Sequence, residues 1–237
     1  YPVLKTRPSV TDVKDTSAIV SWDPTQDDGA VSAANYWIQY RKLNGSWVKV
    51  VVVAVRNYPK YSIRLNRLCS GEAYEVRVLV IDSDGKFRET GSLTTTFRTL
   101  CGRPTSPPTN VKMDNSSADS VLITWENPPR GSWLCWSANV TLEVNGTTES
   151  FNLTEPGVNA TDRFVVPTRP FTQLTVRFRL DTPEGTSSQW TRLWTVRSAE
   201  DAGQDARAHG TTGPTLSGRL VHRGNALTTQ RRGYESH

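Results

Sequence analysis

The chain has 237 residues, a formal net charge of +5 and a composition of 36% hydrophobic, 9% aromatic and 22% charged residues. That length holds two sandwich-sized domains of roughly 100 residues each and a remainder, but not three, and no apolar run approaches the ~20 residues a spanning helix needs, so no membrane anchor is visible in this chain. The basic residues are spread rather than clustered, which predicts a solvated surface with at most weak attraction to glycosaminoglycans and no nucleic-acid partner.

Tyr1 is not Met and no charged-then-apolar leader precedes the first strand, so the chain reads as a fragment or a processed product. Short runs that alternate apolar and polar residues then follow one another, separated by turn residues. In the first half they predict strands near 8–14, 17–23, 36–42, 47–55, 60–66, 73–81 and 92–99. Val50 to Val55 is apolar nearly throughout, a strand prone to aggregate if it lies uncovered at a sheet edge. Cys101-Gly102-Arg103-Pro104-Thr105-Ser106-Pro107-Pro108 reads as a short, stiff spacer. Beyond it, strands are predicted near 109–114, 119–126, 137–144, 148–153, 162–166, 173–181 and 189–197. From Ser198 onward the sequence is rich in Gly, Arg and Thr and too poor in apolar residues to offset the entropy of ordering, which predicts disorder.

The two halves repeat one another. Ser17-Ala18-Ile19-Val20-Ser21-Trp22 matches Ser120-Val121-Leu122-Ile123-Thr124-Trp125 in kind at a spacing of 103, and Tyr74-Glu75-Val76-Arg77-Val78 matches Leu174-Thr175-Val176-Arg177-Phe178 at a spacing of 100. Asn44-Gly45 and Asn145-Gly146 sit at matching places and read as hairpin turns. A duplicated unit of about 100 residues with seven strands and no helical period is an all-β sandwich in tandem.

These residues resemble the fibronectin type III family: a Pro-led first strand, a Trp closing the second, Tyr36 and Tyr40 around the third, and a corner before the sixth. The family's corner reads Leu-x-Pro-x-Thr-x-Tyr. The first copy keeps Leu68 and Tyr74, with Ser70 and Glu72 between them; the second keeps Pro170 and Thr172, with Thr168 and Leu174 at the ends. A tyrosine at that corner bonds backbone upstream and pins the crossing between sheets, and Leu174 lacks the hydroxyl to do so. The resemblance implies two tandem immunoglobulin-like, seven-stranded sandwiches over residues 1–101 and 102–198, and the composition leaves a disordered tail over 199–237. It also implies that Cys69 and Cys101 share the exit pole of the first copy. A Cys69–Cys101 disulfide is therefore the preferred pairing, with Cys101–Cys135 as its rival. Trp133-Leu134-Cys135-Trp136 matches the Trp-x-x-Trp pattern of mannose attachment, though packing of both indoles is the favoured reading.

Six Asn-x-Ser/Thr sequons, at Asn44, Asn115, Asn139, Asn145, Asn152 and Asn159, favour the secretory route and an extracellular glycoprotein. In the sixth strand of the second copy Val176, Phe178 and Leu180 alternate with Arg177 and Arg179, and the seventh places Trp190, Arg192 and Trp194 on one face. With Leu193 turned inward, guanidinium and indole planes would stack outside. This resembles the Arg/Trp ladder of haematopoietic cytokine receptors, although Trp190-Thr191-Arg192-Leu193-Trp194-Thr195 spaces its tryptophans four apart instead of three. A stabilising ladder on an ordinary module is the preferred reading.

No catalytic, cofactor or metal site is expected. His209, His222 and His237 all lie in the tail, which leaves the folded part without a histidine base or zinc ligand. Asp27 and Asp28 read as solvated loop carboxylates, and Asp82-Ser83-Asp84-Gly85 as a turn. The function that fits is a protein-binding or adhesion module whose partner is a protein ligand or another cell-surface protein. The ligand-binding part of a cytokine-type receptor, with contacts at loops 82–91, 127–136 and 182–188 plus Tyr36 and Trp37, is the alternative. The outer part of a receptor tyrosine phosphatase is a remote third.

Overall fold

The computed structural model describes residues 2–25, 32–155 and 158–201. Among the described residues fourteen strands run in chain order: β1 Ser9–Thr11, β2 Ala18–Trp22, β3 Ala33–Lys42, β4 Val48–Ala54, β5 Tyr61–Leu65, β6 Ala73–Asp82, β7 Thr94–Arg98, β8 Thr109–Asp114, β9 Ser120–Glu126, β10 Asn139–Val144, β11 Thr147–Asn152, β12 Thr161–Pro167, β13 Gln173–Asp181 and β14 Trp194–Arg197. One 3-10 turn spans Arg130–Ser132. Each half builds two antiparallel sheets in the same order: β1-β2-β5 with β4-β3-β6-β7, then β8-β9-β12 with β11-β10-β13-β14. The expected all-β tandem of seven-stranded sandwiches is the observed architecture. Asp27, Asp28, the tail histidines and nearly all of the tail expected to be disordered lie outside the described residues.

Alternation decides which side chains are buried. In β2 Ala18, Val20 and Trp22 point inward, and in β6 Tyr74, Val76, Val78 and Val80 do so. The first core closes on a cluster of Trp22, Tyr36 and Tyr61, with centroids 4.8–5.6 Å apart. The second core gathers Val121, Ile123, Trp125, Val140, Leu142, Val176 and Phe178, with Trp125 5.0 Å from Phe178. Trp125 donates its Nε1–H to Asn127 Oδ1 at 2.9 Å. Asn127 is the residue the second copy inserts before its proline.

The chain divides into two compact units. One comprises Tyr1–Ser106 with Pro129–Asn139 and Leu180–Ser188; the other comprises Pro107–Pro128, Val140–Arg179 and Gln189–His237. Segments 129–139 and 180–188 thus pack with the first unit, although they interrupt the second half of the sequence.

Candidate interaction surface

The corners tie down the ends of the sheets. In the first copy Tyr74 Oη accepts the Cys69 N–H at 2.7 Å, the upstream backbone bond expected of a corner tyrosine. Thr99 Oγ1 donates to Cys69 O at 2.6 Å and accepts the Glu72 N–H at 2.9 Å. The second copy lacks the tyrosine but repeats the hydroxyl: Ser198 Oγ donates to Arg169 O at 2.6 Å and accepts the Thr172 N–H at 2.9 Å. This shared clasp, Thr99 in one copy and Ser198 in the other, was missed in the sequence because a lone hydroxyl after a strand carries no pattern.

Burial pushes the Tyr74 hydroxyl from 10.0 up to about 12, with the Cys69 N–H opposing that shift. An unfolded tyrosine ionises near pH 10, so below that pH the contribution is fully present. It is lost as pH rises from 10 through about 12, because the unfolded state sheds its proton first. Alkaline denaturation monitored by circular dichroism is expected to show a steeper fall in stability over that window for the wild type than for Tyr74→Phe. Parallel curves would contradict this assignment.

Cysteine pairing departs from the preferred expectation. Cys101 is bonded to Cys135, with Cα atoms 4.5 Å apart and a separation of 34 in sequence, and Cys69 is a free, exposed thiol. The Cys69–Cys101 bond is not formed, and the backbone of the first unit explains why. Gly102 N–H donates to Leu134 O at 2.8 Å and Thr105 N–H to Ser132 O at 3.0 Å, which carries Cys135 to Cys101. Cys69 is held by both its backbone groups, to Tyr74 and to Thr99. The 182–188 loop joins the same unit: Cys101 N–H donates to Glu184 Oε2 at 2.6 Å, Thr186 Oγ1 to Gly102 O at 2.7 Å and Arg103 Nε to Ser187 O at 3.0 Å. Trp133 is buried under the Arg130 guanidinium, 4.9 Å away, whereas Trp136 is exposed, with Arg98 5.8 Å from its ring. Only the first of those indoles packs as expected.

The Arg/Trp ladder forms in part. Arg177 and Arg179 lie 4.2 and 4.6 Å from the Trp190 ring, one after the other along the outer face of β13. Arg177 also grips Glu143 through Nε at 2.8 Å and a terminal nitrogen at 3.1 Å. Trp194 belongs to the other face. It pairs with Val176, whose side chain is in the core, and sets its ring 6.3 Å from Phe178. The predicted strand 189–197 starts only at Trp194, so alternation breaks between the two tryptophans. Leu193, expected inside, is 58% exposed, and Arg192 lies 5.0 Å from Trp194 rather than in the outer stack.

A second stack was not read from the sequence. On the outer face of β3 and β6 the registered pairs are Trp37 with Leu79, Gln39 with Arg77 and Arg41 with Glu75. Trp47 slots between Arg41 and Arg77, at 4.4 and 4.1 Å. Arg41 pairs with Glu75 at 2.6 Å and Arg77 donates to Gln39 Oε1 at 2.8 Å. Arg77 is buried, which pulls its pKa down from the usual arginine value, with Glu89 opposing. Arg77 and Arg177 are the same position in the repeat. That equivalence, together with a Trp just ahead of β4, was the signal available in the sequence. Trp37 is half-buried between Lys49, 4.5 Å from its ring, and Phe87, 5.0 Å away. Tyr36, named with it as a contact residue, is fully buried, and its hydroxyl accepts the Thr25 N–H at 3.0 Å.

Of the sequon asparagines, Asn44, Asn115, Asn145, Asn152 and Asn159 are exposed and Asn139 is half-buried at the start of β10. Asn44 and Asn145 hold the hairpin turns at φ of 63° and 48°. Asn115 donates its Nδ2 to Arg197 O at 2.8 Å. Among the described residues no group of three or more His, Cys, Asp or Glu side chains is placed to hold a metal ion, and no helix is long and apolar enough to cross a membrane.

Comparison with known proteins agrees with the fold. The fibronectin type III domain model matches residues 5–96. Slow-type myosin-binding protein C of Rattus norvegicus is 28% identical over 127 residues, covering 53% of this chain and 20% of that protein. The cell adhesion molecule Dscam1 of Drosophila melanogaster is 23% identical over 124 residues, covering 52% of this chain and 6% of that protein. The chain therefore spans a small part of the length of these relatives. The crystal structure of chicken CNTN1 FN1-FN3 domains superposes with a TM-score of 0.48 at 20% identity, covering 84% of this chain and 67% of that one. Residues 5–96 thus match a fibronectin type III domain, and the second half of the chain repeats the same strand order.

Proposed function

We propose that the chain is an extracellular protein-binding and adhesion segment of a secreted or cell-surface glycoprotein, with modules at 1–101 and 102–198 and a polar tail over 199–237. The observation that carries this reading is the Cys101–Cys135 disulfide, since such bonds persist in oxidising compartments. Exposed sequons at Asn44, Asn115, Asn145, Asn152 and Asn159 support it as sites of glycan attachment. The partner is a protein ligand or a cell-surface protein, and glycosaminoglycan attraction is a weak addition. The chain works by presenting surface rather than by catalysis.

The test displays glycosylated chain on beads of two colours. Clumping between colours that survives moderate salt is the expected result for homophilic adhesion. Dispersed beads carrying folded protein would overturn homophilic adhesion and direct the search to other partners. The Trp190 stack supports a second reading, as the ligand-binding part of a cytokine-type receptor. Replacing Trp190 by Ala removes two cation–π contacts, about 1–2 kcal/mol in all. Loss of stability alone in the Trp190→Ala, Arg177→Ala double variant is expected for a structural ladder. Loss of a soluble ligand with folding intact would favour the receptor.

A further inference from the structure

Among the free sheet edges in the described residues, β4 stands apart. It is the outer strand of β4-β3-β6-β7, so one side of its backbone has no partner strand. Its sequence is Val48-Lys49-Val50-Val51-Val52-Val53-Ala54, without Pro or Gly. Val48, Val50, Val51 and Val52 are 37–48% exposed. Because strand side chains alternate, exposure of Val51 and Val52 leaves both faces of the edge uncovered. Lys49 is the one charge that could guard it, and its ammonium is turned onto the Trp37 ring at 4.5 Å.

The equivalent edge of the second copy is built the other way. β11 reads Thr-Thr-Glu-Ser-Phe-Asn and is flanked by the Asn145 and Asn152 sequons. At the opposite edge of the first copy's sheet, β7 is tied to the N-terminal segment, with the Arg7 guanidinium donating to Thr94 O at 3.0 Å and Thr95 Oγ1 donating to Pro8 O. Of these three edges, the one at β4 is apolar and open.

We propose that β4 is a self-association site, at which two copies of the chain pair edge to edge and antiparallel into one continuous sheet. The register follows from the hydrogen-bond phase. Val55 N–H donates to Ala34 O at 2.9 Å, and with Val53 opposite Tyr36 the groups of Val51, Val53 and Val55 face β3 while those of Val52 and Ala54 face outward. Joining the outward groups of Val52 and Ala54 across a two-fold axis at Val53 sets Val52 against Ala54 of the second copy and Val51 against Val55; the Arg56 N–H and C=O are already bonded to the Tyr61 hydroxyl, so the ribbon ends there. No like charges face each other in this ribbon, so nothing in the strand opposes pairing with its own copy. The ribbon is narrow, at the low end of specific interfaces, so the pair is weak and depends on concentration.

The inference goes beyond the adhesion reading, and the two fail separately: beads report contacts between surfaces, whereas sedimentation reports pairing of free chains. The experiment is sedimentation equilibrium of the full glycosylated chain over roughly 1 µM to 1 mM. Two variants accompany it. Val52→Pro deletes an N–H that the sheet does not use, as edge strands tolerate. Val52→Lys keeps that N–H but sets like charges diagonally across the two-fold axis. The expected result is a reversible wild-type dimer, with each folded variant weakened at least tenfold. If Val52→Pro fails to fold, Val52→Lys decides. A wild type that stays monomeric over the whole range would overturn the proposal, as would a dimer that folded Val52 variants leave unchanged.

Discussion

Gly71→Ala is expected to lower the melting temperature of the first unit by roughly 10 °C or more, equivalent to at least ~2 kcal/mol in a domain of this size, and to raise the number of titratable thiols above the single free Cys69 of the wild type. Gly71 has a φ of +62°, and a Cβ there would press against Cys135 Cα and stand 2.8 Å from Cys135 C and 2.9 Å from Trp136 N. All three are backbone atoms, so no rotamer change relieves the clash. Conformation alone does not account for the requirement. Phe171, the same position in the second copy, adopts a φ of 57° with a large side chain exposed to solvent. The corner therefore accepts a left-handed residue other than glycine, at a cost of about 1–2 kcal/mol. What demands glycine in the first copy is the 129–139 segment lying against it. Melts with and without reductant, alongside thiol titration, check the prediction. If Gly71→Ala loses stability but keeps one free thiol, the clash is relieved without moving Cys135 and the account of this contact fails.

Arg77→Ala is expected to cost about 2–4 kcal/mol in chemical denaturation, and Arg177→Ala about 1–2 kcal/mol, although the two arginines are equivalent in the repeat. The side chain of Arg77 is 9% exposed and that of Arg177 36%. Removing Arg77 leaves Gln39 Oε1 without its donor, takes a support from Trp47 and opens the outer face beside buried Leu79. Removing Arg177 frees Glu143 and half of the Trp190 stack toward solvent, where water replaces much of the loss. The order of the two costs is the prediction. Equal losses would mean that the burial of Arg77 contributes little.

The fold was legible because its signals are local and repeated. Alternation in Ala18–Trp22 and Ser120–Glu126, the Asn-Gly turns and the 100-residue offset place the strands within a few residues. The exceptions share a cause, since each depends on the meeting of distant segments. Cys69 and Cys101 looked like partners from their places at the ends of neighbouring strands, but the Leu134–Gly102 bond carries Cys135 in first. Trp190 and Trp194 looked like one face by counting, but the strand begins only at the second of them. The Trp47 stack joins a hairpin tip to the middle of β6, and nothing in either segment alone names the other. The β4 edge was readable as an apolar run; that nothing among the described residues covers it required the sheet order.

Non-reducing peptide mapping by mass spectrometry, with enzymatic deglycosylation, of the native protein purified from its source cells tests the extracellular account most directly. The account predicts a peptide linked through Cys101 and Cys135, Cys69 recovered as a free thiol, and glycan release at exposed sequons such as Asn145 and Asn152. Three free cysteines on a chain without glycans would contradict it and place these modules in a reducing compartment.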